Sequence, residues 1–187
     1  AQAHTDPAAA LDAYEKTILA APQQRLHTDP VVHAYAITAR RCGFHREHLV
    51  AFFSSMRADL THREYSPSEL QDYIYGSAEA IGLLCLQIFL AEENVSPADR
   101  AAMERGARAL GSAFQKINFL RDLREDSSTL GRTYFQQAPS GRIDEATKSA
   151  LIAEIRRELA TAALTIDLLP ASARVGVSAA ADIFAEL

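Results

Sequence analysis

The segment QKINFLRDLRED, residues 115–126, places polar side chains at a helical spacing. Asn118, Asp122 and Asp126 follow one another at intervals of four residues, and Gln115 lies about one turn before them. At roughly 100° per residue these side chains share one face of a helix, and successive carboxylates are about 6 Å apart along its axis. The rest of the circumference is mostly apolar, which indicates a largely covered helix. The sequence therefore predicts one polar stripe on an otherwise buried helix.

Carboxylate and amide oxygens are hard ligands that suit Mg²⁺, which keeps several waters and binds the oxygens of substrate phosphates. Like charges four residues apart destabilise a helix slightly, and a bound cation would offset that cost. The stripe thus favours a metal–diphosphate site facing a helical interior. Two alternatives stay open on spacing alone: a solvated acidic face, and aspartates paired with Arg121, Arg124 or another helix.

The same region resembles a known family. The sequence LGSAFQKINFLRDLREDSSTLGRTYF is similar to the second aspartate-rich motif of the squalene/phytoene synthases, which are head-to-head prenyl transferases. The matching positions are Leu110, Gly111, Gln115, Asn118, Arg121, Asp122, Glu125, Asp126, Gly131, Arg132 and Tyr134.

Two upstream segments, MRADLTHREY and ELQDYIYGSAEAIG, extend the resemblance. Ile74 and Glu79 depart from the family, which has Cys and usually Gly at these places, and helical spacing predicts that Glu79 points outward near Asp72. The upstream positions that match are Asp59, Tyr65, Tyr73, Ala78 and Gly82.

The resemblance implies an all-α isoprenoid synthase fold, a helical bundle around a central cavity. It implies that Asn118, Asp122 and Asp126 hold Mg²⁺, with Mn²⁺ as an alternative ion, and that Asp122, Asp126 and Tyr73 are catalytic. Tyr73 also fronts a face of small residues against which an apolar chain could lie, although a core tyrosine is the alternative. The substrate-binding residues that the resemblance implies are Gln115, Asn118, Arg121, Arg132, Tyr134 and Asp59.

Three of these assignments have a plain structural alternative. Arg132 and Tyr134 lie in a glycine-containing loop suited to close over diphosphate oxygens, where Arg gives forked recognition, or they belong to an ordinary surface loop. Asp59 is either a polar group of the site or a solvated helix position.

The reaction implied is the Mg²⁺-dependent condensation of two geranylgeranyl diphosphates, as in carotenoid biosynthesis. Squalene-type condensation of two farnesyl diphosphates is the enzymatic alternative. A non-catalytic family member that acts as a binding or assembly protein is the alternative of another class. Gln115, Asn118, Asp122 and Asp126 together argue against that last reading, since a scaffold gains nothing from an acidic stripe.

The first aspartate-rich motif of the family would precede the segment HTDPAAALDAYE, and nothing in the chain replaces it. We therefore expect residues 1–187 to form a single helical domain without the N-terminal helices of the fold. On this expectation the chain alone is inactive, because the aspartates of the first motif, which would bind metal opposite those of the second motif, are missing.

Composition bounds the class of protein. A chain of 187 residues with 48% hydrophobic residues and a net charge of −5 suits one globular domain and does not suit a nucleic-acid partner. The longest apolar run, residues 80–91, is too short to span a bilayer. Cys42 and Cys85 lie in apolar helical context and predict buried free thiols, so we expect a cytoplasmic protein. Peripheral membrane association and the oligomeric state stay open.

Hydrophobic periodicity and capping residues predict helices throughout. Asp6 and Gly43 mark a helix start and a helix end, and Ser66 with Glu69 forms a capping box. The predicted helices are 7–20, 30–42, 46–61, 67–92, 97–126, 144–168 and one beginning near residue 173.

His45 and His48 form a histidine pair near a predicted helix start. A zinc protease site would need a glutamate directly after the first histidine and a third ligand at a useful spacing, and the sequence shows neither. The favoured interpretation is a pair of surface histidines.

Overall fold

The computed structural model describes residues 6–125 and 143–187, with side chains described as far as residue 122 and again from residue 143. Within these ranges the chain forms helices and short connections, and it contains no β-strand. A 3₁₀ turn, Ala21–Gln23, follows α1, and a π-helical turn, Tyr75–Glu79, joins α4 to α5. The α-helices are α1 (Pro7–Ala20), α2 (Pro30–Cys42), α3 (Arg46–Thr61), α4 (Pro67–Ile74), α5 (Ala80–Phe89), α6 (Pro97–Glu125), α7 (Glu145–Ile166) and α8 (Ala171–Glu186).

The helix ends follow from local side chains, as predicted. Asp6 Oδ1 accepts a hydrogen bond from the Ala8 backbone N–H at 3.1 Å, which caps α1. The two bonds of the capping box, between Ser66 and Glu69, begin α4. Gly43 ends α2 with φ 64°, a left-handed conformation that glycine adopts without the Cβ penalty.

The predicted helix 67–92 differs from the structure in two ways. It contains the π-helical turn Tyr75–Glu79, and its last helical residue is Phe89. At this turn Gly76 lies against the Ala51 carbonyl and the Ser55 side chain of α3, so closely that no Cβ would fit. The wider turn places an additional residue in the helix, so the faces before and after it are out of step by about 100°.

Helix α6 is the central element, and it packs along most of its length against α7. Lys116 of α6 is buried, and its Nζ donates to Glu154 Oε1 at 2.8 Å and to Glu158 Oε1 at 2.6 Å. Ser112 Oγ donates to the same Glu158 oxygen at 2.8 Å. Because both carboxylates belong to α7, this network fixes the rotation of α6 about its axis.

Buried apolar side chains join neighbouring helices in separate clusters. One cluster holds α1, α2 and α3 together, one lies where α5 and α6 meet the α7–α8 connection, and one lies between α6 and α7. Their buried members are, in that order, Ile18, Ala21, Val32, Ala36, Leu49 and Phe53; Leu86, Leu90, Met103 and Leu169; and Ala113, Ile117, Leu151 and Ile155.

The cysteine prediction is partly wrong. Cys42 and Cys85 are free thiols, as expected, but Cys42 is half-buried and Cys85 is exposed. Cys85 lies on α5 beyond the π-helical turn, where the apolar context of the sequence does not reveal which face is covered. Among the helices of the described ranges, none combines the length and the apolar character that crossing a membrane requires.

Candidate active site

The polar stripe of α6 lies partly inside the molecule. Gln115 and Asn118 are half-buried, and Gln115 lines a cavity described below. Asp122 stands one turn further, with 38% of its side chain accessible. The stripe therefore runs from the interior toward the surface, as a site that admits a charged headgroup would.

Asp122 is paired with its chain neighbour. Arg121 donates from Nε and Nη2 to the two carboxylate oxygens of Asp122, both at 2.7 Å. This hydrogen bonding lowers the pKa of Asp122 below its ordinary value, so the carboxylate is ionised at neutral pH. The pairing corresponds to one of the alternatives that spacing left open. A cation bound by Asp122 would have to share this carboxylate with Arg121 or displace the guanidinium.

Asn118 supplies the observation that bears on metal binding. Its Oδ1 atom is buried and has no hydrogen-bond partner. A buried oxygen without a partner costs about 1–3 kcal/mol, so native structures seldom keep one unless a ligand or water satisfies it. An amide oxygen one helical turn from an ionised carboxylate is a donor set that fits a hard cation such as Mg²⁺.

Tyr73 and Asp59 form a pair beside α6. The Tyr73 hydroxyl donates to Asp59 Oδ1 at 3.0 Å, which brings α4 to α3. Tyr73 is buried, with ring centroids 5.2 Å from Tyr65 and 6.2 Å from Phe119. Since Phe119 follows Asn118 in the chain, the structure brings the predicted Tyr73–Asp59 pair next to the polar stripe.

A large apolar cavity of about 570 Å³ lies between α5, α6, α7 and α8. It runs along α6 from Met103 to Gln115, about 18 Å at the helical rise. Ser77 lies near the Gln115 end, and the buried Leu86 and Leu169 pack with Met103 at the other. Gln115 and Ser77 therefore make one end of the cavity polar, while the wall toward Met103 is mainly apolar, with Thr165 and Ser172 as its polar members.

The face predicted to front this cavity is divided by the π-helical turn. Tyr73 lies in the aromatic cluster with Tyr65 and Phe119, and Gly76 lies against α3. Ser77, Ala78 and the residues that follow line the cavity instead. Tyr73 therefore packs as a core tyrosine with a polar partner, and the small residues beyond it form the cavity wall.

Glycines bring the cavity walls close together. A Cβ on Gly111 would lie 2.7 Å from the Ala78 carbonyl oxygen, and one on Gly82 would lie 2.6 Å from that of Ala107. A Cβ on Gly106 would collide with Thr165 of α7. The first two contacts require glycine because the obstructing atoms belong to the backbone of the neighbouring segment, whereas Gly106 meets the side chain of Thr165.

The predicted outward orientation of Glu79 is wrong. Its side chain is only 13% accessible and accepts a hydrogen bond from Arg108 Nε of α6 at 2.7 Å. The Arg108 guanidinium also lies over the Tyr75 ring, 5.4 Å from its centroid. The π-helical turn explains the error, because extrapolation with an uninterrupted α-helical period misplaces the residues at its end.

Three predicted site residues lie outside the part of the chain whose side chains are described. They are Asp126, Arg132 and Tyr134. Their roles as metal ligand, catalytic residue or substrate-binding residues stay predictions.

The sequence did not predict Ser77 as a polar group of the cavity, nor that α7 and α8 would form part of the cavity wall. Ser77 Oγ is buried without a hydrogen-bond partner and lines the cavity near Gln115. The recurrence of small residues at Ala173, Gly176 and Ala180 is the sequence signal for an α8 face that a cavity wall can use.

Comparison with known proteins gives consistent matches. The family model described as squalene/phytoene synthase matches residues 1–187. Phytoene synthase 3, chloroplastic, from Zea mays is 43% identical over an alignment of 86 residues, and the match covers 44% of this chain and 19% of that protein. A bifunctional lycopene cyclase/phytoene synthase from Blakeslea trispora is 27% identical over an alignment of 136 residues, and the match covers 64% of this chain and 22% of that protein. The matched regions thus span about a fifth of these relatives.

The fold also matches a solved structure. The crystal structure of squalene synthase HpnC from Alicyclobacillus acidocaldarius superposes with a TM-score of 0.74 and 22% sequence identity, covering 100% of this chain and 76% of that one. This likeness confirms the predicted helical isoprenoid synthase fold. The match to the family model over the whole chain shows that the chain belongs to the squalene/phytoene synthase family.

Proposed function

We propose that the protein condenses two molecules of geranylgeranyl diphosphate head to head with release of diphosphate, as phytoene synthases do. Members of the family are prenyl transferases, which sets the general class of reaction. The observation that carries the proposal is the apolar cavity of about 570 Å³ with Gln115 and the unpartnered Ser77 Oγ at its polar end. Such a cavity suits a long apolar chain that ends in a charged headgroup.

Asn118, Asp122 and Asp126 are the residues we propose to hold Mg²⁺. When bound there, the ion would neutralise charge on the departing diphosphate. The buried Asn118 oxygen without a partner and the ionised Asp122 carboxylate support this donor set. Arg121 lies beside Asp122 and can turn its guanidinium from that carboxylate to a diphosphate oxygen, which is the forked contact Arg makes well.

The apolar walls have a chemical task in this proposal. Ionisation breaks the allylic C–O bond, and the diphosphate leaves with the electron pair, so a carbocation remains. Water would quench that cation, and side chains such as Leu86, Phe89 and Leu110 exclude it. The double bond of the second prenyl diphosphate then attacks the cation, and loss of a proton gives a cyclopropylcarbinyl diphosphate. Ionisation of this intermediate releases the second diphosphate, and rearrangement with loss of a second proton gives the product. The Tyr73 hydroxyl is held by Asp59 in the aromatic cluster with Tyr65 and Phe119 and does not line the cavity, so its catalytic role stays a prediction.

Squalene-type condensation of two farnesyl diphosphates is the second candidate. The matched crystal structure is that of a squalene synthase, and its fold covers the whole chain. The two candidates differ in the length of the prenyl chain that the cavity accepts. A non-catalytic binding protein would hold the same ligands without turnover.

The test uses the full-length protein with Mg²⁺ and radiolabelled geranylgeranyl or farnesyl diphosphate, followed by extraction of apolar products. We expect phytoene from the longer substrate and a loss of about a hundredfold or more in the Asp122→Asn variant. Asp167→Asn is the matched control, since it makes the same chemical change at an exposed position of the α7 end. Squalene from farnesyl diphosphate would favour the second candidate, and bound diphosphate without product would leave only the binding role.

A further inference from the structure

A cluster of metal-ligating side chains lies at the start of α3, on residues that the proposed reaction does not use. His45, Glu47 and His48 each offer one ligand atom, and these atoms all lie within 4.8 Å of one another. His45 Nδ1 is 3.9 Å from Glu47 Oε1, and the two imidazole rings stack with centroids 5.5 Å apart. The sequence interpretation lacked a third ligand, and Glu47 provides it.

His48 is not the surface histidine that the sequence predicted. It is only 7% exposed, and its Nδ1 is 3.2 Å from the Tyr75 hydroxyl. This contact engages Nδ1, so a metal ion would bind His48 through its other ring nitrogen, Nε2. Histidine ligands of metals usually have such a partner on the second nitrogen, because it fixes the ring orientation and the tautomer. Tyr75 itself is held by the Arg108 guanidinium over its ring.

We propose that His45, Glu47 and His48 form a binding site for a divalent transition ion of the Zn²⁺ type. Two imidazoles and one carboxylate are a ligand set that such ions prefer, whereas Mg²⁺ prefers oxygen ligands and binds imidazole poorly. Three protein ligands at an exposed helix start leave a fourth position for water. The site is therefore chemically separate from the oxygen-rich stripe of α6.

The cluster needs only small movements to close on an ion. Tetrahedral ligands with bonds of about 2.1 Å are about 3.4 Å apart, so the ligand atoms must approach by about 1.4 Å at most. His45 and Glu47 have the freedom for this, with 63% and 74% of their side chains accessible. His48 and Tyr75 are more covered and act as the fixed side of the site.

Two nearby positive charges repel a bound cation and limit the affinity expected for this site. The α3 N-terminus carries a partial positive charge, and Arg108 lies close enough to act on His48. Glu47 and Glu104 act in the opposite direction on the same ring. We therefore expect a measurable site of modest affinity that depends on all three ligands.

The experiment is calorimetric titration of the metal-free protein with Zn²⁺ in the presence of excess Mg²⁺, which occupies oxygen sites. We expect one Zn²⁺ site that is lost in His45→Ala and in Glu47→Ala, both of which change exposed side chains. Tyr75→Phe should weaken binding about tenfold or more, because it removes the partner of His48 Nδ1. The matched control is His62→Ala, an exposed histidine outside the cluster.

Co²⁺ provides a second readout on the same variants. Its visible absorption bands report tetrahedral coordination, and circular dichroism reports whether each variant stays folded. Absence of a Zn²⁺ site in the folded wild-type protein would overturn the proposal. Binding that survives His45→Ala, or that ignores Tyr75→Phe, would also overturn it, because it would come from scattered surface groups.

Discussion

Replacement of Gly111 by alanine tests whether the close approach of α6 to the π-helical turn builds the site. A Cβ at this position would lie 2.7 Å from the Ala78 carbonyl oxygen and 3.1 Å from Glu79 Cα. Both contacts are with backbone atoms, which cannot rotate away as a side chain can. The methyl group therefore has to push the π-helical turn from α6.

The magnitude follows from two opposing effects. Alanine in place of glycine inside a helix stabilises by about 1 kcal/mol through helix propensity. Insertion of a methyl group into a packed contact costs about 1–3 kcal/mol. The net change for Gly111→Ala therefore lies between roughly neutral and about 2 kcal/mol of destabilisation.

Gly176→Ala is the matched control. Gly176 lies inside α8 and lines the same cavity, but a Cβ there meets nothing within 4 Å. Only the propensity effect remains, so this variant should be more stable than wild type by about 0.5–1 kcal/mol. The difference between the two variants cancels propensity and isolates the collision, at about 1–3 kcal/mol.

Urea unfolding followed by circular dichroism measures this difference. In thermal unfolding, the midpoint temperature should shift by about 2–4 °C for each kcal/mol of difference. In the full-length protein, Gly111→Ala should also lower kcat/KM, because displacement of Ser77 and its neighbours by about 1 Å can cost about a hundredfold. Gly176→Ala should leave the position of Ser77 unchanged. Equal stability of the two variants would refute the reasoning, since it would mean that the collision does not exist.

Three further predictions address the polar groups of α6. Mg²⁺-dependent turnover of the full-length protein should fall about a hundredfold in Asp122→Asn, and turnover that is unaffected by a chelator would remove the metal argument. NMR titration should show a pKa of Asp122 below its ordinary 3.8, and this pKa should rise toward 3.8 in Arg121→Met. Because the pKa is depressed in the folded state, the Asp122 carboxylate stabilises the fold above about pH 3.8, and this contribution is lost as the pH falls through the folded-state pKa. Lys116→Met should destabilise the protein by about 2 kcal/mol because Glu158 keeps a largely covered charge, and adding Glu158→Gln should restore part of the loss in urea unfolding.

The helix ends were predictable because their causes are local. Asp29 accepts from the Val31 and Val32 N–H groups, and Gly43 takes the left-handed conformation after α2, both within a few residues of the end they define. Periodicity likewise placed the polar stripe of α6 on one face. These features depend on neighbours in the chain, and a single sequence contains them.

The π-helical turn was not predictable, because its cause lies on another helix. Gly76 packs against the backbone of Ala51 and the side chain of Ser55, and nothing near Gly76 in the sequence announces that contact. The error at Glu79 follows from it, and so does the separation of Tyr73 from the small residues after the turn, since both faces were extrapolated through the turn. The burial of His48 and the exposure of Cys85 are also tertiary properties that apolar context does not determine.

The unpartnered oxygens bear on the choice between an enzyme and a scaffold. Asn118 Oδ1 and Ser77 Oγ are both buried without a partner, and each costs the folded chain about 1–3 kcal/mol. A protein with a stability of about 5–15 kcal/mol that served only as a scaffold would gain by replacing such groups with apolar ones. Ser77 lies on the cavity wall, and Asn118 shares its helix face with Gln115, which lies there too. A ligand with polar oxygens and a bound cation would satisfy both atoms at once, so their cost argues for a site that is completed by its substrate.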